Sequence, residues 1–300
     1  MRVRRTSGIL TGSAGPASLA VLALVLFLIP RPARAWSPWL WFLPGGGQFY
    51  LGQDSAGAAY LAGTCLLGGW GAWTETRRTS GEMNAPLVYA QQLYVVSVYS
   101  AHRDVQFILD DRDRTDPAKI GTLSLAPFRV KYVLNPWVIG FAAAGYAVNR
   151  ALIGRGKAGF SRIRTVNYLG SGYNRDTGSA VYALYWIPLS YGAGEAEEML
   201  FRGMLQSSWE GSLGTAGGLL AASTVFGLAH VNRLRSEESW ESAGMAALAG
   251  LFLGWRYQNT GYRLGEPIAA HFWFDVAAGA TAFLLDPADN PLGARIGFSF

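Results

Sequence analysis

The sequence has 300 residues, of which 50% are hydrophobic and 15% charged, and its formal net charge is +5. Such a composition is too apolar for an ordinary soluble domain, and it predicts an all-α fold, a polytopic transmembrane helical bundle. The positive charge does not indicate nucleic-acid binding, because five arginines and no acidic residue precede Trp36 and the remainder is near neutral. These arginines are Arg2, Arg4, Arg5, Arg31 and Arg34.

Residues 1–35 have the pattern of a signal peptide. A basic start is followed by an apolar stretch at 18–30 and by the small-x-small end Ala33-Arg34-Ala35. We expect cleavage after Ala35, and an uncleaved first helix is the alternative, because residues 8–30 are long enough to anchor the chain. In both cases the arginine-rich end is expected to stay in the cytoplasm.

Residues 36–131 form the first predicted domain, an N-terminal membrane hairpin. The segment 55–74 is uncharged, and 83–102 is uncharged apart from its histidine, so each is a candidate span. His102 precedes Arg103 and Asp104 and is therefore expected at the membrane surface. The single cysteine, Cys65, is predicted to be a small buried hydrophobic residue. Residues 110–131 mix charges with prolines, which places a domain boundary near Lys131.

Residues 44–50 read Pro-Gly-Gly-Gly-Gln-Phe-Tyr. No Lys-Ser/Thr pair follows the glycines, which argues against a phosphate-binding loop. The segment resembles the Pro-Gly-x-Gly-Gln-x-Tyr turn of small two-helix membrane modules of bacteria, over residues 42–104. That resemblance implies no chemistry.

Residues 132–300 form the second predicted domain. The uncharged run 132–149 is followed by five basic residues without an acidic one, which favours a cytoplasmic loop. Residues 168–178 are predicted to be a loop, and helices are predicted at 181–191, 195–210, 213–231, 243–258 and 267–285. Gly192 and Gly194 permit a break between the first two of these helices, which would put the acidic cluster at a helix N-terminus. Residues 286–300 have no assigned role.

Charged side chains interrupt this apolar part at Glu197, Glu198 and Arg202. Ionisable groups at membrane depth cost about 2.5–3.5 kcal/mol each, so a functional site with a partner is the default interpretation. Glu198 and Arg202 are four residues apart and can pair on one face of a helix. Glu197 is rotated about 100° away and can point elsewhere.

Two of the three histidines, His230 and His271, lie in later apolar segments. Asp275 follows His271 by four residues and can accept from its imidazole, which would fix the tautomer. A carboxylate and a histidine can activate a water molecule, with the carboxylate as general base. Alternatively, His230 and His271 with a carboxylate can hold a zinc ion, which lowers the pKa of its bound water to about 7.

Three motifs carry a resemblance to a known family: Glu-Glu-x-x-x-Arg, Phe-x-x-x-His and His-x-x-x-Asn/Asp. They occur in order as Glu197-Glu198 with Arg202, Phe226 with His230, and His271 with Asp275. The set resembles the CPBP intramembrane proteases (CAAX proteases and bacteriocin-processing enzymes), which are related to the type II CAAX prenyl endopeptidase. The match covers residues 181–285.

The resemblance implies an all-helical membrane core that hydrolyses a peptide bond. Glu197 and His230 would activate the water, His271 with residue 275 would stabilise the oxyanion, and Glu198 and Arg202 would support them. The best-studied family pattern has asparagine where this chain has Asp275, and an ionised aspartate cannot donate a hydrogen bond to an oxyanion. The family is often labelled metalloprotease, although metal-free water activation has also been argued.

The resemblance and the residues together predict an intramembrane endopeptidase of a bacterial cytoplasmic membrane, acting on a membrane-associated or lipidated peptide or protein. One alternative is a non-catalytic scaffold or immunity-type protein built on the same helical core. Another is a small transporter that uses the intramembrane charges as a relay. The transporter is less favoured, because the sequence lacks paired broken helices in two repeated halves.

Overall fold

The computed structural model describes residues 42–110, 113–153, 159–231 and 236–298, so the predicted signal peptide at 1–35 lies outside the described residues. The described chain is mainly helical, which confirms the predicted all-α class. Its elements are α1 (Gly46–Tyr50), α2 (Asp54–Glu75), α3 (Ala85–Ile108), α4 (Ile120–Ser124), a 3-10 turn (Ala126–Phe128), α5 (Val130–Val133), α6 (Pro136–Ile153), a 3-10 turn (Phe160–Arg162), β1 (Ile163–Tyr168), β2 (Ser171–Asn174), α7 (Arg175–Glu198), a π-helix (Met199–Gln206), α8 (Ser207–Ala229), α9 (Glu237–Asn259), α10 (Gly265–Leu285), a 3-10 turn (Pro287–Asp289) and β3 (Arg295–Phe298).

Two helical runs among the described residues are long and apolar enough to cross a membrane. They are Arg175–Ala229, which comprises α7, the π-helix and α8, and Gly265–Leu285, which is α10. At 1.5 Å per residue, the 21 residues of α10 extend about 32 Å, close to the roughly 30 Å thickness of a bilayer core. The two runs contain five of the six predicted site residues, and the sixth, His230, directly follows Ala229.

The predicted hairpin is present as α2 and α3, and α3 packs against α7. The Tyr89 hydroxyl donates to the Tyr185 carbonyl at 2.7 Å, and the Gln92 amide donates to the Leu189 carbonyl at 3.1 Å. Tyr99 of α3 is fully buried in the same hydrophobic cluster as the core residues of the π-helix and α10. The two predicted domains therefore share one core.

The predicted break at Gly192 and Gly194 is wrong, since α7 continues through both glycines to Glu198. A Cβ atom on Gly194 would lie 3.0 Å from the backbone of Ile268 and of Phe272. Gly194 therefore allows α7 and α10 to pack closely, and the acidic cluster lies at the C-terminal end of α7. The run changes to π-helical geometry at Met199 and has a non-helical residue at Gly214, with φ 73°.

The loop predicted at 168–178 is also wrong. Residues 163–174 form a β-hairpin, β1 pairing antiparallel with β2, and β3 from the C-terminal tail pairs antiparallel with β1 on its other side. The Val166 side chain points inward from β1 and packs against α7. A Cβ atom on Gly178 of α7 would lie 2.4 Å from it. The tail residues therefore complete a three-stranded sheet.

Two single-residue predictions in the hairpin are wrong. His102 is buried, because α3 continues beyond it to Ile108 and carries it into the interior. Cys65 is exposed, because its side of α2 faces away from α3. Both errors come from interpreting an apolar segment without knowing which of its faces packs inward.

The Pro-Gly-Gly-Gly-Gln-Phe-Tyr segment forms a tight turn and the short helix α1 against α2 and α3. The buried Gln48 amide donates to the Ser97 carbonyl at 2.8 Å. Gly45 has φ 75°, a left-handed conformation that favours glycine, and its Cα lies directly beside the backbone of Gly57. The segment therefore packs α1 against the hairpin.

Gly45→Ala should destabilise the protein more than Gly52→Ala. Both positions have positive φ, 75° and 71°, so alanine costs about 1–2 kcal/mol at each from backbone strain. Only at Gly45 would the new Cβ meet backbone, 2.2 Å from the Gly57 carbonyl oxygen, and this overpacking should add about 1–3 kcal/mol. Thermal unfolding in detergent measures the difference, and equal losses would contradict the packing role.

Candidate active site

Glu198 is the fully buried centre of the charged cluster. Its Oε1 atom lies 3.2 Å from NH1 of Arg202 and 2.8 Å from Nδ1 of His271. The predicted pairing of Glu198 with Arg202 is therefore present. A carboxylate paired with a guanidinium can only accept, so Nδ1 of His271 carries the hydrogen and donates to Glu198.

His271 is approached at its other nitrogen by two further carboxylates. Nε2 lies 3.6 Å from Oδ2 of Asp275 and 3.9 Å from Oε2 of Glu197. Both distances exceed a direct hydrogen bond. The expectation that Asp275 fixes the His271 tautomer is therefore corrected: Glu198, from another helix, makes that hydrogen bond.

Phe226 is the apolar centre around which the cations and histidines pack. The guanidinium of Arg202 lies 4.5 Å from its ring centroid, and the rings of His230 and His271 lie 4.7 and 6.0 Å away. Arg202 also donates to the Gly250 carbonyl at 3.1 Å, so this one side chain joins the π-helix to α8 and α9. Phe226 was a motif residue without an assigned role, and its aromatic contacts are not visible in the sequence.

His230 is held by the last turn of its own helix. Its Nδ1 atom lies 2.8 Å from the Phe226 carbonyl oxygen, which can only accept, so Nδ1 donates. In the neutral side chain Nε2 is then the ring nitrogen without a hydrogen. The structure thus fixes one tautomer of His230 and one of His271 through the Nδ1 atom.

A cavity of about 20 Å³ adjoins this cluster, and polar side chains of His230, His271 and Asp275 line it together with apolar side chains from α6, α9 and α10. This volume is enough for one water molecule, and three polar neighbours match the number of hydrogen bonds that a buried water makes. Glu197 is not among the residues that line this cavity, but its Oε2 atom lies 3.9 Å from Nε2 of His271, which is among them. The Glu197 side chain is one-third exposed, and Oε2 is buried without a hydrogen-bond partner among the described residues. The arrangement can therefore hold a water next to a histidine and carboxylates.

The described residues offer a metal ion two histidines but no compact ligand group. None of their His, Cys, Asp and Glu side chains form a group of three or more that is arranged to hold one. The Nδ1–H groups of His271 and His230 are engaged by Glu198 and by the Phe226 carbonyl, as is usual for histidines that bind a metal, and Nε2 of each ring would be the nitrogen that binds it. Zinc held by His230 and His271 stays a prediction.

The structure brings all six predicted site residues together. Glu197, Glu198 and Arg202 surround His271 from the α7 end, Asp275 lies one turn along α10, and His230 shares the cavity. The neighbouring acid Glu195 points elsewhere and accepts from the Ser124 hydroxyl. The motif Glu-Glu-x-x-x-Arg already separates Glu195, which is followed by Ala196, from Glu197 and Glu198.

The family model described as type II CAAX prenyl endopeptidase Rce1-like matches residues 179–277. The match confirms the resemblance to the CPBP family over this segment, about a third of the chain, and supports a membrane protease with a peptide or protein substrate. It includes every predicted site residue. No curated protein and no solved structure matches the chain.

Arg202→Met should destabilise the protein by about 3–5 kcal/mol, because it leaves Glu198 as a buried charge with one cation-capable partner fewer. The matched control is Arg175→Met, whose pair with Asp176 is exposed and should contribute at most about 1 kcal/mol. Chemical unfolding in detergent measures both variants. The double variant Glu198→Leu, Arg202→Met should recover part of the loss, and a loss equal to that of the control would contradict the buried pair.

Proposed function

We propose that this protein is an intramembrane endopeptidase that hydrolyses a peptide bond of a membrane-associated or lipidated substrate, in a bacterial cytoplasmic membrane. The observation that carries the proposal is the water-sized cavity lined by His230, His271 and Asp275, with Oε2 of Glu197 3.9 Å from Nε2 of His271. A hydrolase of soluble substrates does not need its charged groups within long apolar helices. A substrate in the bilayer can reach such groups only when they lie at membrane depth.

In the proposed reaction, Glu197 and His230 take a proton from the water as its oxygen attacks the scissile carbonyl carbon. His230 suits this role because its Nδ1–H is engaged and Nε2 is the basic nitrogen. The proton taken from the water is then transferred to the nitrogen of the scissile bond as that bond breaks. The products are a carboxylic acid and an amine, so the hydrolysis balances. Glu197 is one-third exposed, so it can meet both water and substrate.

His271 would stabilise the oxyanion of the tetrahedral intermediate. Glu198 holds its Nδ1–H, which orients the ring, and in the protonated form Nε2 presents a donor toward the region between Glu197 and Asp275. Arg202 balances the charge of Glu198 and keeps it in place. Asp275 supports His271 and does not need to donate to the oxyanion.

The proposal needs no metal, although zinc at His230 and His271 is the alternative that the family label suggests. A strong chelator distinguishes the two. Activity that resists the chelator supports the metal-free reaction, and loss of activity that added zinc restores supports the zinc site.

Glu197→Gln should reduce cleavage of a quenched peptide library by at least about 100-fold, because a general base contributes about 10²–10⁴-fold. The assay uses purified protein in detergent, with and without a chelator. The control is Glu241→Gln, an exposed glutamate on α9, which should keep full activity.

Cleavage that persists in Glu197→Gln would reject the assigned base. A phenotype in cells that survives this substitution, with no cleavage by the wild-type protein, would instead favour the scaffold alternative. Thermal unfolding of each variant shows whether a loss of cleavage comes from a loss of structure.

Asp275→Asn should retain at least a tenth of the cleavage activity, whereas Asp275→Leu should lose about 100-fold. Asparagine keeps a carbonyl oxygen near Nε2 of His271 and adds an N–H donor, which suits an oxyanion-supporting role and the family pattern. The measurement is kcat/KM on the best peptide from the library. A loss in Asp275→Asn as large as that in Glu197→Gln would show that the negative charge at 275 is required.

A further inference from the structure

The segment 119–134, here called the strap, lies outside the proposed chemistry. It consists of α4, a 3-10 turn and α5, and it crosses the outside of α7 and α10. The Trp273 indole donates to the Pro127 carbonyl at 2.9 Å, and the Tyr191 hydroxyl donates to the Ser124 carbonyl at 3.0 Å. The strap is therefore fixed to the two helices that carry the candidate site.

The strap has a buried face and an apolar exposed face. Leu123 and Ala126 are buried in the main core. Four large apolar side chains on the other face are more than half exposed: Leu125 58%, Phe128 55%, Val130 70% and Leu134 67%. Exposure of this kind in water is unfavourable, so this face needs an apolar environment.

Three basic side chains accompany this apolar face. Lys119, Arg129 and Lys131 are all exposed, and the sequence contains no acidic residue between Asp116 and Asp176. The strap is therefore positively charged without local compensation along the chain. Its apolar and basic residues alternate over a short distance, as in Phe128, Arg129, Val130 and Lys131.

Neither bulk water nor the bilayer core suits such a surface. Water would leave the four apolar side chains exposed, and the hydrocarbon core would cost about 2.5–3.5 kcal/mol for each charge on insertion scales. The headgroup region accommodates both, because apolar groups reach the acyl chains while lysine and arginine extend to the phosphates. The helix α6 begins at Pro136, just after the strap.

We propose that the strap is a docking surface for the headgroups of anionic phospholipids. Three exposed positive charges complement phosphate-bearing lipids with a net negative charge, and the exposed apolar side chains hold their acyl chains. Because the strap is bound to α7 and α10, a lipid there lies directly against the helices of the candidate site. The proposal does not depend on the protease reaction.

The test is photo-crosslinking in nanodiscs with a photoactivatable phosphatidylglycerol, compared with the same probe on phosphatidylcholine, followed by peptide mapping. Phosphatidylglycerol should label residues 119–134 at least fivefold more than phosphatidylcholine. The triple variant Lys119→Gln, Arg129→Gln, Lys131→Gln should reduce that label at least tenfold, since each basic residue at an anionic surface contributes roughly a fivefold gain in binding. Labelling elsewhere on the same chain is the internal control and should not change.

Equal labelling by the two lipids, or labelling unaffected by the triple variant, would overturn the proposal. Complete competition by inorganic phosphate would also overturn it, in favour of a site for a soluble anion. Should the triple variant unfold, a depth measurement decides: with Cys65→Ser, a spin label on Leu125→Cys should lie at headgroup depth and one on Leu220→Cys, exposed on α8, nearer the bilayer centre. A label at 125 that is in bulk water or at the bilayer centre would exclude the headgroup position.

Discussion

The arrangement of the candidate site depends on one buried carboxylate, that of Glu198. A charge with no exposed surface is tolerated only when its partners surround it, because desolvation costs several kcal/mol. Its partners come from two directions, Arg202 from the following π-helix and His271 from α10. The orientation of the histidine, and so the direction of its second nitrogen toward Glu197 and Asp275, follows from this pairing.

The π-helix is the local distortion that makes this pairing compatible with the surrounding packing. It directs Arg202 onto the Phe226 ring and the Gly250 carbonyl as well as onto Glu198. π-helical turns are rare and concentrate at functional sites. Here the π-helix begins one residue after Glu198, at the point where helices meet around charged side chains.

The helices that carry the candidate site pack directly against the preceding α2–α3 hairpin. α3 packs on α7 through hydrogen bonds to its carbonyls, and the strap that follows α3 is tied to α7 and α10. Two glutamates of α7 bind different partners. Glu195 accepts from the Ser124 hydroxyl in the strap, and Glu198 accepts from Nδ1 of His271. The helix α7 is therefore held by α3 and by the strap.

The sequence by itself predicted the helical class, the α2–α3 hairpin, the six candidate site residues that the structure brings together, and the Glu198–Arg202 pair, because hydrophobic runs and four-residue spacings are local properties. Only the tertiary structure decided which carboxylate holds His271, since Glu198 and His271 are 73 residues apart and their contact depends on the close packing of α7 and α10 at Gly194. The same reason explains the errors. His102, Cys65 and the strands at 163–174 and 295–298 depend on which face meets which neighbour, and a single sequence contains no record of that.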